Sequence, residues 1–195
     1  MWRLLLIAPA ALLANFFFAA IEESLTTFFP LYAMRQGMAE DASVILLTVS
    51  AIGAIIVQPP IGILADKVNR YGFLTVLVLL SIAGYAALPF FLPNFLATAI
   101  AIFVVVGLAN GIFTLGVVLV GERFTGRDLA GASAFTTAMW GSGALAGAPV
   151  SGWLMQIWDP HGLILAMCIM FLAYLPFPLV TWLRNSEASA KTASR

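Results

Sequence analysis

Two adjacent carboxylates, Glu22 and Glu23, stand inside a long run of apolar residues that holds no lysine or arginine before Arg35. A carboxylate held in hydrocarbon costs roughly 2.5 to 3.5 kcal/mol even on the lenient insertion scale, which makes each a functional candidate. At 100° per residue, Asn15, Glu22 and Thr26 fall within about 40° of one another and form a narrow polar stripe. Glu23 lies about 100° from Glu22 and is expected to look toward a neighbouring helix. In low-dielectric surroundings such a carboxyl can load and release a proton as access to it alternates. The plainer reading is a structural carboxyl, neutral or hydrogen-bonded across a bundle. The apolar stretches offer no lysine or arginine for a salt bridge within the chain. What remains is a protonated carboxyl, a bound cation or a partner from outside.

The other polar residues in apolar stretches carry no charge. Asn110 and Thr114 are one helical turn apart and share a face with Gly107 and Gly111, combining polar groups with close backbone approach. Gln58 stands beside Pro59 and Pro60. Thr136, Thr137, Trp140 and Ser142 precede Gly143 and Gly147, a small-xxx-small pair followed by Pro149 and Gly152 that suits tight helix contact or a bend. Two readings stand for these groups: the lining of a substrate path, or hydrogen bonding between helices. Nothing points to an enzyme, a metal or a cofactor. The sequence lacks metal-ligand spacing and any pairing of nucleophile with base, and its one histidine, His161, lies in a Pro-His-Gly turn that reads as structural. A single cysteine, Cys168, excludes a disulfide framework and a thiolate zinc site and reads as a small core residue.

The elements that position these residues follow from composition. Of 195 residues 62% are apolar and 9% charged, against about half and a quarter in soluble domains. A span takes about 20 apolar residues, and helix plus loop about 30, so the chain has room for six and little else. We therefore expect an all-α membrane protein with helices near 4–32, 42–64, 73–91, 95–120, 129–157 and 163–183. These form one bundle over 1–183, embedded in the lipid bilayer, with a disordered tail over 184–195. Breakers mark the loops: Arg35-Gln36-Gly37, Asn69-Arg70-Tyr71-Gly72, Pro93-Asn94, Gly121 to Asp128, and Asp159-Pro160-His161-Gly162. Arg3, Lys67, Arg70, Arg123, Arg127, Arg184, Lys191 and Arg195 fall on one side of this arrangement and Arg35 alone on the other. That asymmetry places both termini in the cytoplasm, in a plasma membrane. A cleaved signal peptide ending near Ala19-Ala20 is the alternative, and it would scatter the charges over both sides. Equal numbers of basic and acidic residues argue against nucleic acid bound through a basic surface.

Six helices divide into two triplets that enter the membrane from opposite sides. The middle helix of each carries Pro-x-x-Gly, as Pro59 to Gly62 and Pro149 to Gly152, matching helix-weakening elements of the kind inverted repeats share. The loop from Gly62 through Asp66, Lys67 and Arg70 to Gly72 resembles the signature loop of the major facilitator superfamily: Gly, three residues, Asp, a basic residue, one residue, Gly, then basic residues. Asn69 replaces the glycine, and Tyr71 a second basic residue. Gly121-Glu122-Arg123-Phe124, the stretch Gly147 to Gly152, and Pro160-His161-Gly162-Leu163 look like the second half of such a carrier. Helix five departs from the family pattern in having Ala148 between glycine and proline.

The resemblance implies two inverted three-helix repeats, the C-terminal six-helix half of a twelve-helix carrier. It further implies secondary active transport of a small molecule by alternating access. Proton coupling would run through Glu22, and the alternatives are a homo-oligomeric channel and an inactive fragment. The partner would be the other six-helix half or a second copy of the chain. A truncated or split gene, a fragment of a longer frame and a self-pairing half-size carrier are the competing origins. Asp66 and Arg70 are spaced as an i, i+4 pair, and Gly62 is expected to let the end of helix two approach a neighbour closely. With Glu122 and Arg123 on the same face, the resemblance makes this loop a latch that holds the inner side shut. Solvated charges of the positive-inside kind, worth little each, are the plainer reading.

Overall fold

The computed structural model describes residues 8–193, which form seven helices: α1 (Pro9–Arg35), α2 (Glu40–Ala65), α3 (Arg70–Ala87), α4 (Phe95–Arg123), α5 (Gly126–Ile157), α6 (Gly162–Tyr174) and α7 (Pro176–Ala193). Local chemistry sets their starts. Asn69 and Asn94 accept hydrogen bonds from the backbone N–H groups of Gly72 at 2.9 Å and Ala97 at 3.0 Å, capping α3 and α4. Glu40 and Asp41 stand in the first turn of α2, where the helix dipole favours acids. Gly37, with φ at 91°, turns the chain between α1 and α2 in a conformation that favours glycine.

Among the described residues five stretches are long and apolar enough to cross a membrane: Pro9–Arg35, Glu40–Ala65, Arg70–Phe90, Phe95–Arg123 and Gly162–Ser186. The longest helix, α5, is not among them. Glycine, serine and threonine, from Gly131 and Ser133 through Thr136, Thr137 and Gly143 to Gly152, dilute its apolar character. The break expected over Gly121 to Asp128 shrinks to Phe124-Thr125, because α4 runs on through Arg123 and α5 starts at Gly126. The last span is interrupted at Leu175. Pro176 cannot donate a backbone hydrogen bond, and its ring opposes the carbonyl one turn back, so α6 and α7 are separate helices. The tail expected to be disordered from 184 is helical through Ala193. The expected start of the first helix at residue 4 lies outside the described residues. The prolines expected to weaken the middle helices do not end them, since α2 continues through Pro59 and Pro60 and α5 through Pro149.

In lipid, helices gain nothing from burying apolar surface against one another, so contact depends on how closely backbones approach. The two most extensive contacts are α1 with α5 and α2 with α4. Along the first, Gly143 lies on the backbone carbonyl of Phe16, and Gly147 on that of Ala20. One turn further, Ser151 donates to the Ser24 hydroxyl at 2.7 Å, which donates to the Ala20 carbonyl at 2.6 Å. Both serines are fully buried. Along the second, Gly53 lies on the carbonyl of Phe103, and side chains on Gly107 and Gly111 would meet Val57 at 2.6 Å and Ile61 at 2.7 Å. α1 also packs on α4, where Gly116 admits Ala14. α6 closes over α1 through Tyr174, whose ring lies 5.6 Å from that of Phe17 and whose buried hydroxyl donates to the Ala10 carbonyl at 2.7 Å.

Gly147→Val drives a branched side chain into the Ala20 carbonyl, an overpacking that costs about 1–3 kcal/mol or more. Thermal melts of purified protein in detergent should show a clearly lowered Tm and a reduced folded yield. Gly141→Ala meets nothing within 4 Å and should stay within about 0.5 kcal/mol of the parent.

Candidate functional site

Along α1 the surroundings of the expected polar stripe change with depth. Asn15 is fully buried against Gly116 of α4, Glu22 and Glu23 are half-buried, and Thr26 is exposed. The three expected stripe residues therefore do not share one surface. Thr26 spends its hydroxyl on its own helix, donating to the carbonyls of Glu22 at 3.0 Å and Glu23 at 3.2 Å. Thr27 donates to the Glu23 carboxylate at 3.4 Å, so Glu23 is held along its own helix. Glu22 is close enough to the buried Tyr85 of α3 to act on it electrostatically, and Tyr85 is in the same reach of Cys168 of α6. Among the described residues neither carboxylate is in an ion pair.

A cavity of about 570 Å³ opens between α1, α4 and α5. Asn15 lines it together with Phe113 and Val117 of α4 and Thr136, Thr137 and Trp140 of α5. The amide nitrogen of Asn15 donates to the Ala11 carbonyl at 3.2 Å, and its buried Oδ1 has no partner. Thr136 and Thr137 donate to the carbonyls of Ala132 at 2.9 Å and Ser133 at 3.2 Å, which leaves their oxygens as acceptors. The cavity thus joins Asn15 to the threonines and tryptophan of α5, whereas Glu22, Thr26, Asn110 and Thr114 are not part of its wall. Asn110 is buried and donates to the Val106 carbonyl at 3.0 Å, and its own carbonyl accepts from Thr114 at 3.2 Å. Its neighbours Gly107 and Gly111 serve the α2 contact. The apolar half of the wall, Phe113, Val117 and Leu129, carries no signal in the sequence that separates it from ordinary lipid-facing residues.

Charges gather at the two ends of the bundle. At one end Arg70 donates to Asp66 at 2.8 Å and pairs with Glu122 at the end of α4, joining the α2–α3 loop to α4. Lys67 and Arg123 are exposed, and among the described residues neither is in an ion pair. The close approach expected at Gly62 does not occur, since a side chain there would meet nothing within 4 Å. Asn69, in the place of the family's glycine, caps α3 with a side chain that glycine lacks. At the other end Arg35 pairs with Asp159. His161 is packed between Tyr32 and Gln36, each 3.5 Å from a ring nitrogen, with the Trp158 ring beside it. This second cluster joins segments far apart in sequence, so no spacing announces it. A side chain on Gly152 would meet the Phe28 ring at 3.1 Å, in the part of the α1/α5 contact nearer Arg35 and Asp159. Among the described residues no group of three His, Cys, Asp or Glu side chains could hold a metal ion.

The sequence profile of the Major Facilitator Superfamily matches residues 4–195. A protein of Bacillus subtilis (strain 168) described as uncharacterized MFS-type transporter YfkF is 32% identical over 166 residues. Those residues are 83% of this chain and 41% of the relative, so the chain spans about two fifths of the length of the relative it matches. With its membrane-crossing helices and a family match over nearly all its length, the chain belongs to the major facilitator superfamily, a family of membrane transporters.

Proposed function

We propose that this chain is one six-helix bundle of a secondary carrier. In this reading it moves a small solute across the plasma membrane by alternating access, with its basic end in the cytoplasm. The six crossings are α1 to α5 and the pair α6/α7 taken as one, with α5 crossing despite its polar dilution because α1 covers its glycine face.

The observation that carries this reading is a correspondence between the two halves of the bundle. Gly53, Pro59 and Gly62 of α2 recur at the same spacing as Gly143, Pro149 and Gly152 of α5. Gly53 rests on the carbonyl of a phenylalanine in α4, as Gly143 rests on one in α1. The contacts Val57–Gly107 and Ile61–Gly111 stand where Gly147–Ala20 and Ser151–Ser24 stand in the other pair. Arg35 at the end of α1 pairs with the loop after α5, and Glu122 at the end of α4 pairs just past the loop after α2. This exchange of α1 with α4 and α2 with α5 is what two inverted repeats require, and transporters built that way bind substrate at the repeat interface.

Glu22 is the candidate for proton coupling, because it is an intramembrane carboxylate with no basic partner among the described residues. The partner bundle is the other six-helix half or a second copy, and the cavity beside Asn15 belongs to the solute path. The Arg70 network holds α3 against α4 at the cytoplasmic end, and its place in a latch depends on what the partner bundle presents to it.

Three measurements test this. Glu22→Gln, with protein level kept, should abolish proton-coupled uptake or efflux in energised vesicles, and unchanged transport would sink the coupling role. In a Cys168→Ser background, cysteines at Thr125 and Trp158 should react with an impermeant maleimide from opposite sides of the membrane. Reaction from the same side means that α5 does not cross. Arg70→Met should lower Tm by a few degrees more than Lys67→Met does. That difference should shrink in high salt, as half-exposed pairs worth about 0.2 to 1 kcal/mol each do.

A further inference from the structure

The walls of the cavity beside Asn15 specify the chemistry of what enters it. None of the residues lining it is charged, and Glu22 is not one of them. Its polar groups are all neutral: the threonine oxygens and the Asn15 amide oxygen accept, while the Trp140 indole N–H, the Ser133 hydroxyl and the second Asn15 N–H donate. Asn15 Oδ1 is buried without a partner, and Thr136 and Thr137 have spent their protons on their own helix. The rest of the wall is apolar or aromatic, with Phe113 on α4 and Trp140 on α5.

An anion would find only neutral donors and no cationic side chain in the wall, and an unpaired charge is costly to desolvate there. An ammonium would find acceptors and aromatic faces but no counter-charge in a largely apolar wall, where an unpaired charge is far costlier to bury than a hydroxyl. A neutral hydroxyl or N–H group exchanges one water hydrogen bond for one to Asn15, and a flat apolar body can replace water against the two aromatic rings. We infer that the cavity lined by Asn15, Thr136, Thr137, Phe113 and Trp140 receives the uncharged, aromatic or similarly flat part of the solute, which donates a hydrogen bond to Asn15. This rests on the transport reading and adds the class of solute that this bundle takes.

The test uses the full chain reconstituted in vesicles, with Cys168→Ser and a reporter cysteine in place of Ser133, another residue of the cavity wall. Maleimide labelling is timed in the presence of three indoles of nearly one shape: tryptophol, which is neutral, tryptamine, a cation, and indole-3-acetate, an anion. Tryptophol should slow labelling severalfold, and the two ions should leave it unchanged. Asn15→Leu should cost about tenfold in the tryptophol concentration needed, the worth of one buried hydrogen bond. Asn15→Asp supplies the missing counter-charge and should make tryptamine protective, a gain that a merely misfolded variant would not show. Equal protection by tryptamine in the parent overturns the class of solute and leaves the transport reading standing. Protection by none of the three overturns the cavity as a site, whereas the Glu22→Gln experiment judges transport separately.

Discussion

Close approach of backbones along two helix pairs is the constraint on which this bundle depends. Lipid removes the usual reward for packing apolar side chains together, because the tails are as apolar as the helices they touch. What distinguishes α1/α5 and α2/α4 from contact with lipid is that glycine lets one helix rest on the carbonyls of the other. Gly143 and Gly147 do this on α1, and Gly53 on α4. With those two pairs set, α1 and α4 are brought together at Gly116, α6 can reach Ala10 through Tyr174, and the cavity appears where α5 diverges from α4.

The second constraint is the satisfaction of polar groups where no water reaches. Most of the intramembrane polar side chains solve it alone. Asn15, Ser24, Thr26, Asn110, Thr114, Thr136 and Thr137 each donate to a carbonyl one turn back on their own helix. This explains why a polar stripe on a helical wheel is a weak guide to a shared site. A hydroxyl so placed is left with an acceptor at most, and an asparagine with one further N–H and its amide oxygen. The Ser151–Ser24 bond crosses between helices, as the Tyr174–Ala10 bond does, and it lies one turn beyond the paired glycines, where the backbones are already close.

These constraints also account for what the sequence made legible. Apolar runs coincide with the middle of each long helix except where Leu175 divides the last, and the Gly143/Gly147 pair marked its contact surface. The i, i+4 spacing of Asp66 and Arg70 foretold their ion pair. The break at Pro176 was hidden because the run around it is apolar on both sides, and hydropathy does not register a missing N–H. The polar residues and glycines that dilute α5 were visible in the sequence, but not that Gly143, Gly147 and Ser151 among them serve its contact with α1. Gly62 belongs to the family's loop pattern, yet faces open space here. Arg35 and Asp159 meet only because α1 and α5 run side by side, which no local pattern encodes. At the candidate site Asn15 was visible, and the apolar wall that turns it into a cavity was not.

The placement of charge gives the last step. Ion pairs are made at the two ends of the bundle, by Arg35 with Asp159 and by Arg70 with Asp66 and Glu122, where water shares the cost of desolvation. Between those ends Glu22 and Glu23 stand without a cationic partner among the described residues. Glu23 has Thr27 beside it, and Glu22 has the buried phenol of Tyr85 within electrostatic reach, which cannot neutralise it. A fixed internal counter-ion would make Glu22 a structural element like the end pairs. The described residues supply none, and under the carrier reading proposed above that leaves a proton, a bound cation or a group on a partner bundle to neutralise it. A proton or a cation can be exchanged with each change of access, and that possibility separates a coupling residue from a structural one.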